Sequence, residues 1–281
     1  MRGGVPIVRR NKEYIRFFLK AACLSLGLNR DPNCFTIDQA ALKNVRVNRQ
    51  SVSHAREVLM CFFFEEFKKL NLKKVNKVAI VGGTAHEPEI SILRQLLPSF
   101  ELSILGVDNL ADTFFDLNMT HSSHSEKYDL ILCSQVLEHI WSHGNAFIQL
   151  QKLLATDGYL WISCPASNRA HGSPDYFSAG FTSSFLANHA MQVNLNIQGS
   201  GSFGSKRNYF AVHLLDSWLT PNGHRWPILF CFEGKSYWKQ IVLTLRYLPL
   251  ILMLHFVSKK LTTSPRYSTE SWMLAYKNSD S

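Results

Sequence analysis

Between Val75 and Gln198, short β-branched runs alternate with stretches of helical spacing, and this alternation limits what the chain can fold into more than any other feature. Lys77-Val-Ala-Ile-Val-Gly-Gly reads as a buried strand ending in glycines. Ile90 to Leu97 follows as a helix that stops at Pro98. The unit recurs as Leu102 to Val107 ending at Asp108, as Tyr128 to Cys133 followed by a helix from Val136 to Leu154, and as Tyr159 to Cys164 ending at Pro165. Strands apolar on both faces and separated by helices imply a parallel sheet covered on both sides. Thr182 to His189 predicts a further helix, and Val193 to Gln198 and Trp272 to Tyr276 predict two closing strands. Upstream, Ser53 can cap a helix running to about Lys69, with Ala55, Val58, Leu59, Phe62 and Phe63 on its core face.

These elements divide the chain into an N-terminal helical extension (1–74), a core (75–200), a helical insert or lid (201–268) and a final strand with its tail (269–281). The stretch from Gly199 to Ser268 that holds the insert begins with Gly-Ser-Gly-Ser-Phe-Gly-Ser, continues rich in aromatic and basic residues, and is too long for a hairpin turn. Its segment 235–260 sets Trp238, Tyr247 and Phe256 between lysines. That pattern suits either a lid packed on the domain, a dimer surface, or a helix in a lipid headgroup layer making peripheral membrane contact. The 17-residue stretch from Ile241 to Val257 contains Arg246, Pro249 and His255, so it falls short of the ~18 uninterrupted apolar residues of a spanning helix. Lys20 interrupts the apolar run after Arg9 and Arg10, which argues against a secretory signal. The six scattered cysteines contain no CxxC pair and read as reduced packing residues of a cytoplasmic protein. The net charge of +9 favours anionic surfaces in general, but no recognition motif or regular basic stripe supports nucleic acid as a partner. Oligomeric state leaves no mark on the sequence.

In an open parallel sheet, ligands lie beyond the carboxyl ends of the strands. Those ends supply Gly82-Gly83-Thr84, Asp108-Asn109, Asp116-Leu117, Ser134-Gln135 and Pro165-Ala166-Ser167-Asn168, which together make one polar rim. Each has a plainer reading beside the functional one. The glycines can close an ordinary turn, Asp108 can cap a helix, and Asp116 can end a strand.

The run from Tyr128 through Ser134-Gln135-Val136-Leu137-Glu138-His139, continued by Leu153 to Pro165, resembles the second half of the class I S-adenosylmethionine-dependent methyltransferases. The resemblance covers Val75 to Gln198 and the late strand. It implies a Rossmann-like α/β fold with a seven-stranded, mostly parallel sheet and flanking helices. It also implies S-adenosyl-L-methionine as cofactor, with Gly82, Gly83 and Thr84 in the cofactor loop and Asp108-Asn109 at the ribose. Asp116-Leu117 then falls at the adenine, and Ser134-Gln135 beside the methionyl part. The segment from His171 to Phe177 is similar to members associated with glycan or secondary-metabolite pathways. Three positions depart from the pattern: Ile80 stands where an acid is usual, and Thr84 and His86 replace the second and third glycines.

Methyl transfer needs alignment, exclusion of water and, for a hydroxyl acceptor, removal of a proton. His139 and His171 are the candidate catalytic bases. Against these stand two plainer roles: His139 orienting its loop, and His171 stabilising a turn with Asp175 beside it. Glu138, His139 and His143 would form a partial metal set if they shared one helix face, but Gln135 occupies the place of the first acid, so no metal is expected. The expected act is transfer to a small-molecule or glycan acceptor, at oxygen. The alternative is a non-catalytic binding or scaffold protein with a degenerate cofactor loop.

Overall fold

The computed structural model describes residues 54–70, 72–97, 99–121, 125–168, 174–206 and 265–278, with 209–210, 213, 248–249, 252–253, 256–257 and 261–263. Expectations for Ser53, for His171 and for most of 207–260 lie outside the described residues.

Helix α1 (His54–Lys68) is followed by β1 (Lys77–Val81), α2 (Pro88–Leu96), β2 (Glu101–Gly106), β3 (Thr113–Phe114) and β4 (Tyr128–Ser134). Then come α3 (His143–Leu153), β5 (Leu154–Pro165), α4 (Ser183–Gln192), β6 (Asn196–Ser205), β7 (Leu261–Thr262) and β8 (Glu270–Tyr276). The sheet order is β3-β2-β1-β4-β5-β8-β6, the expected seven strands, with the two-residue β7 added at the β6 edge. Strands β1 to β5 run parallel, while β8 is antiparallel to both β5 and β6. Reversing one strand between two parallel ones leaves the carboxyl ends of six strands, β1 to β6, pointing to the same rim.

Both faces of the sheet are buried, as the apolar runs demand. On one face Val78, Ile80, Leu130, Leu132, Trp161 and Leu274 pack against α1 and α2. On the other, Ala79, Val81, Ile131, Cys133, Leu160 and Ile162 meet Phe147 and Leu150 of α3 and Leu186 and Ala190 of α4. Helix α1 sits directly on the sheet, with Phe63 edge-on to Trp161 at 5.0 Å and Val58, Leu59, Met60 and Phe67 buried beside it. Cys61, Cys133 and Cys164 are buried. Burial pushes the Cys133 thiol up to about 12, so it packs as an apolar side chain.

Three elements differ from the sequence expectation. The helix expected over 136–154 is instead a 3-10 turn, Leu137–His139, an extended residue at Ile140, and α3 beginning at His143. The N–H groups of Trp141 and Ser142 at this break donate to Asn118 Oδ1, at 3.0 and 3.3 Å, so a side-chain amide replaces helix carbonyls. Strand β5 begins at Leu154 rather than at 159, directly out of α3. The Gly-Ser-Gly-Ser-Phe-Gly-Ser run belongs to β6, not to the insert. Gly204 is a spatial requirement, because a Cβ there would collide with the Tyr267 carbonyl oxygen, and a Cβ on Gly199 or Gly201 would press on the Trp272 indole at 3.2 or 3.1 Å. Among the described residues, no helix is long and apolar enough to cross a membrane.

Candidate active site

The rim forms where the carboxyl ends of β1, β2, β4 and β5 meet the amino end of β8. At its centre Gly82 is exposed with φ +72, a conformation that L side chains rarely adopt. A Cβ there would lie 2.8 Å from a Val136 methyl. Gly82 N–H donates to the Leu105 carbonyl at 2.7 Å, and a Cβ on Gly106 would come within 4.0 Å of Gly82 Cα. Glycine is therefore needed where the ends of β1, β2 and β4 crowd together. Thr84 is half-buried and its Oγ1 accepts from the His86 N–H at 3.3 Å, bending the loop without a glycine at position 84. The His86 ring is exposed, so it does not fill the rim.

Asp108 is exposed at the end of β2, beside exposed Asn109. Its Oδ1 accepts from Leu110 N–H at 2.9 Å, which fixes the carboxylate at the rim and also gives it a capping role. Asp116 is half-buried and caps its own turn, accepting from Asn118 N–H at 2.9 Å. The Leu117 side chain is in the core, and its carbonyl accepts from Asn145 Nδ2. The His121 ring stacks on Phe115 with centroids 4.2 Å apart, and its Nε2 meets the Asp116 backbone. These contacts fasten the 115–121 loop to the sheet and to α3.

At the end of β4, Ser134 Oγ donates to Glu89 Oε1 at 2.6 Å, and Gln135 Nε2 donates to Glu270 Oε2 at 3.1 Å. Gln135 has φ +57, and its N–H donates to the Ser163 carbonyl. Neither carboxylate is among the site residues expected from the sequence. Glu89 lies in the first turn of α2 behind Pro88, where an acid suits the helix dipole, and starting that helix at Ile90 hid it. Glu270 arrives from a distant strand and carries no local signal.

The Glu138 side chain is buried, and its carbonyl accepts from the N–H groups of Phe177 (2.8 Å) and Ser178 (3.3 Å). That places the 175–178 loop over His139, whose Nδ1 bonds the Asp175 carbonyl oxygen. His139 therefore stands in the 3-10 turn, not on a helix with His143. The latter turns away, its Nε2 on the Leu137 carbonyl and its ring against Phe181 and Phe185. Asp175 meets His139 through its backbone carbonyl. Among the described residues, no group of three or more His, Cys, Asp or Glu is placed to hold a metal ion. Beyond β5, Ser167 Oγ hydrogen-bonds His213 Nε2, and Tyr209 lies 4.4 Å from the His213 ring and 5.8 Å from Tyr267.

The methyltransferase-domain family matches residues 52–224, more than half of the 281, and the chain belongs to it. In fold and family it is a class I S-adenosylmethionine-dependent methyltransferase. Three solved structures illustrate the likeness. One is the O-methyltransferase of a trans-AT PKS multienzyme of Brevibacillus brevis in complex with S-adenosyl-L-homocysteine (13% identity, 90% of this chain and 86% of that one, TM-score 0.47). A second is coclaurine N-methyltransferase bound to N-methylheliamine and S-adenosyl-L-homocysteine (12%, 96% and 91%, 0.47). The third is a SAM-dependent methyltransferase from Archaeoglobus fulgidus (12%, 79% and 94%, 0.46). A comparison with curated proteins gave no match.

S-adenosylmethionine is the methyl donor of this class, and the residues at the rim fit it. An exposed, fixed carboxylate at Asp108 suits a pair of ribose hydroxyls, and the bare backbone of Gly82 permits close approach.

Proposed function

We propose that the chain methylates an oxygen of a small-molecule or glycan acceptor, with His139 removing the hydroxyl proton. The bond between His139 Nδ1 and the Asp175 carbonyl carries this reading. A carbonyl only accepts, so the hydrogen resides on Nδ1 and the neutral ring has its basic lone pair on Nε2. The donor supplies an electrophilic methyl on sulfur. The protein then has to hold the acceptor oxygen in line and take up its proton. His171 is the second candidate base. The rings of Tyr209 and Tyr267, with the polar Ser167–His213 pair, suit the face and edge of a hydroxylated ring. For the donor we assign Gly82, Gly83 and Thr84 to the loop, Asp108 and Asn109 to the ribose, Asp116 and Leu117 to the adenine, and Ser134 and Gln135 to the methionyl end. The divisions at 74 and 268 are part of the same proposal, with the core carried through β6 to Ser205 rather than ending at 200.

The test uses methyl-tritiated S-adenosylmethionine with phenolic and sugar hydroxyl acceptors against matched amines. Label should pass to hydroxyls in the wild type and fall by about 10²-fold in His139→Gln, with S-adenosylhomocysteine binding kept. Transfer to amines alone would overturn the oxygen assignment.

We also assign 235–260 to peripheral contact with a membrane. Leu248, Leu252 and Phe256, four residues apart, are all exposed, which supports an outward apolar stripe between the lysines. Wild type should float with anionic liposomes and Leu252→Glu/Phe256→Glu should not. Equal flotation removes the idea.

A further inference from the structure

The last side chain of β4 and the one that follows it are each held by a carboxylate from outside the parallel strands: Ser134 by Glu89 and Gln135 by Glu270. The Ser134 contact has a chemical consequence. A hydroxyl has one hydrogen and two lone pairs, and here the hydrogen is committed to Glu89 Oε1 at 2.6 Å. What half-buried Ser134 can offer a ligand is an acceptor oxygen, made more negative by the carboxylate behind it. Glu89 itself is fully buried, so it acts through Ser134.

The position of Glu89 adds a second argument. Ile80 of β1 and Leu132 of β4 are register partners and lie on the α1/α2 face. Ser134 is two residues beyond Leu132, hence on the same face, and Glu89 reaches it from the first turn of α2. An apolar residue in β1 thus stands where the family pattern has an acid, and a carboxylate from the next helix is brought to the same face, near the same strand ends.

We propose that Glu89 is a positioning residue that turns Ser134 into the acceptor for the ammonium group at the methionyl end of the donor, taking the place of the acid absent at Ile80. This rests on the assignment of the strand ends to the donor. The methionyl end carries an ammonium, with three hydrogens and no lone pair, and a carboxylate that only accepts, so an acceptor-only oxygen placed there selects the ammonium.

Calorimetry with two probes tests it. S-adenosylhomocysteine carries the ammonium, whereas 5′-methylthioadenosine keeps the nucleoside and the sulfur but lacks the amino acid. Glu89→Gln should weaken S-adenosylhomocysteine by about tenfold or more and leave methylthioadenosine within about twofold of wild type. Ser134→Ala should reproduce that selective loss and keeps the question answerable if Glu89→Gln fails to fold. Asp108→Asn should weaken both probes. Equal loss of both probes in Glu89→Gln and Ser134→Ala, or no loss of S-adenosylhomocysteine in either, overturns the proposal. Wild type binding neither probe overturns the donor site itself, and the proposal with it.

Discussion

Trp272 lies flat on Trp161, ring centroids 5.3 Å apart and planes within 16°, and this stack joins β8 to β5 beneath helix α1. Phe62 stacks on Trp272 at 5.6 Å, while Phe63 and Phe67 meet Trp161 edge-on. Gly199 and Gly201 of β6 lie against the Trp272 ring. Trp272→Ala should therefore cost about 3–5 kcal/mol, as for other buried aromatics. Gly201→Val should also destabilise, because its Cβ would meet Nε1 at 3.1 Å. Guanidinium unfolding measures both. A Trp272→Ala midpoint equal to wild type would show that the stack does not hold the face together.

The same stack shows which parts of the fold are legible in the chain. Runs such as Lys77–Val81 and Tyr128–Ser134 announce themselves, because burial on both faces leaves only apolar residues between polar ends. The β6 strand does not, since its residues are chosen by the Trp272 ring, 71 positions from Gly201, and small residues read as a linker. The site divides in the same way. Gly82, Asp108 and Ser134 follow strand ends and can be found from them, whereas Glu270 reaches Gln135 across 135 positions. The break at 140–142 escapes because the acceptor that permits it, Asn118, belongs to another loop.

Gly82→Ala places a methyl at φ +72 and within 2.9 Å of both Val136 methyls. The left-handed conformation alone costs about 1–2 kcal/mol, and the contact adds to it. Thermal unfolding should show the loss, and adding Val136→Ala should recover the contact part but not the backbone part. Full recovery would mean that φ at this position is not strained.

Asp108 has two separable roles, as a turn cap and as a carboxylate. Asn at this position can still accept from the Leu110 N–H, whereas Ala cannot. Asp108→Asn should keep the melting temperature and weaken S-adenosylhomocysteine by about 1–3 kcal/mol, the range for lost charge-assisted hydrogen bonds. Asp108→Ala should lose that and the cap as well. Unchanged affinity in a folded Asp108→Asn would remove the ribose assignment.

Asp175 holds His139 through its backbone carbonyl, so its side chain should matter less than its sequence position implies. Asp175→Asn should slow tritium transfer far less than His139→Gln does. A loss as large as that of His139→Gln would show that the carboxylate, not the carbonyl, orients the ring.

His143 and His189 couple the α3–α4 interface to pH. Burial lowers the His143 pKa below 6.5, against a smaller opposing effect of its bond to the Leu137 carbonyl. Burial lowers His189 as well, followed by the charge of His143. His189 stacks on Phe147 at 5.2 Å and tilts against Phe185 at 4.4 Å. Folded-state values below the unfolded one mean that the unfolded chain takes up protons first. The stability these rings contribute is thus fully present above the ordinary value of 6.5 and is lost as pH falls below it, through the depressed values. Melting temperature should drop between about pH 7 and about pH 5, and His189→Phe should make that drop shallower by removing one titrating ring from an aromatic site. An identical slope in the variant would place the pH dependence elsewhere.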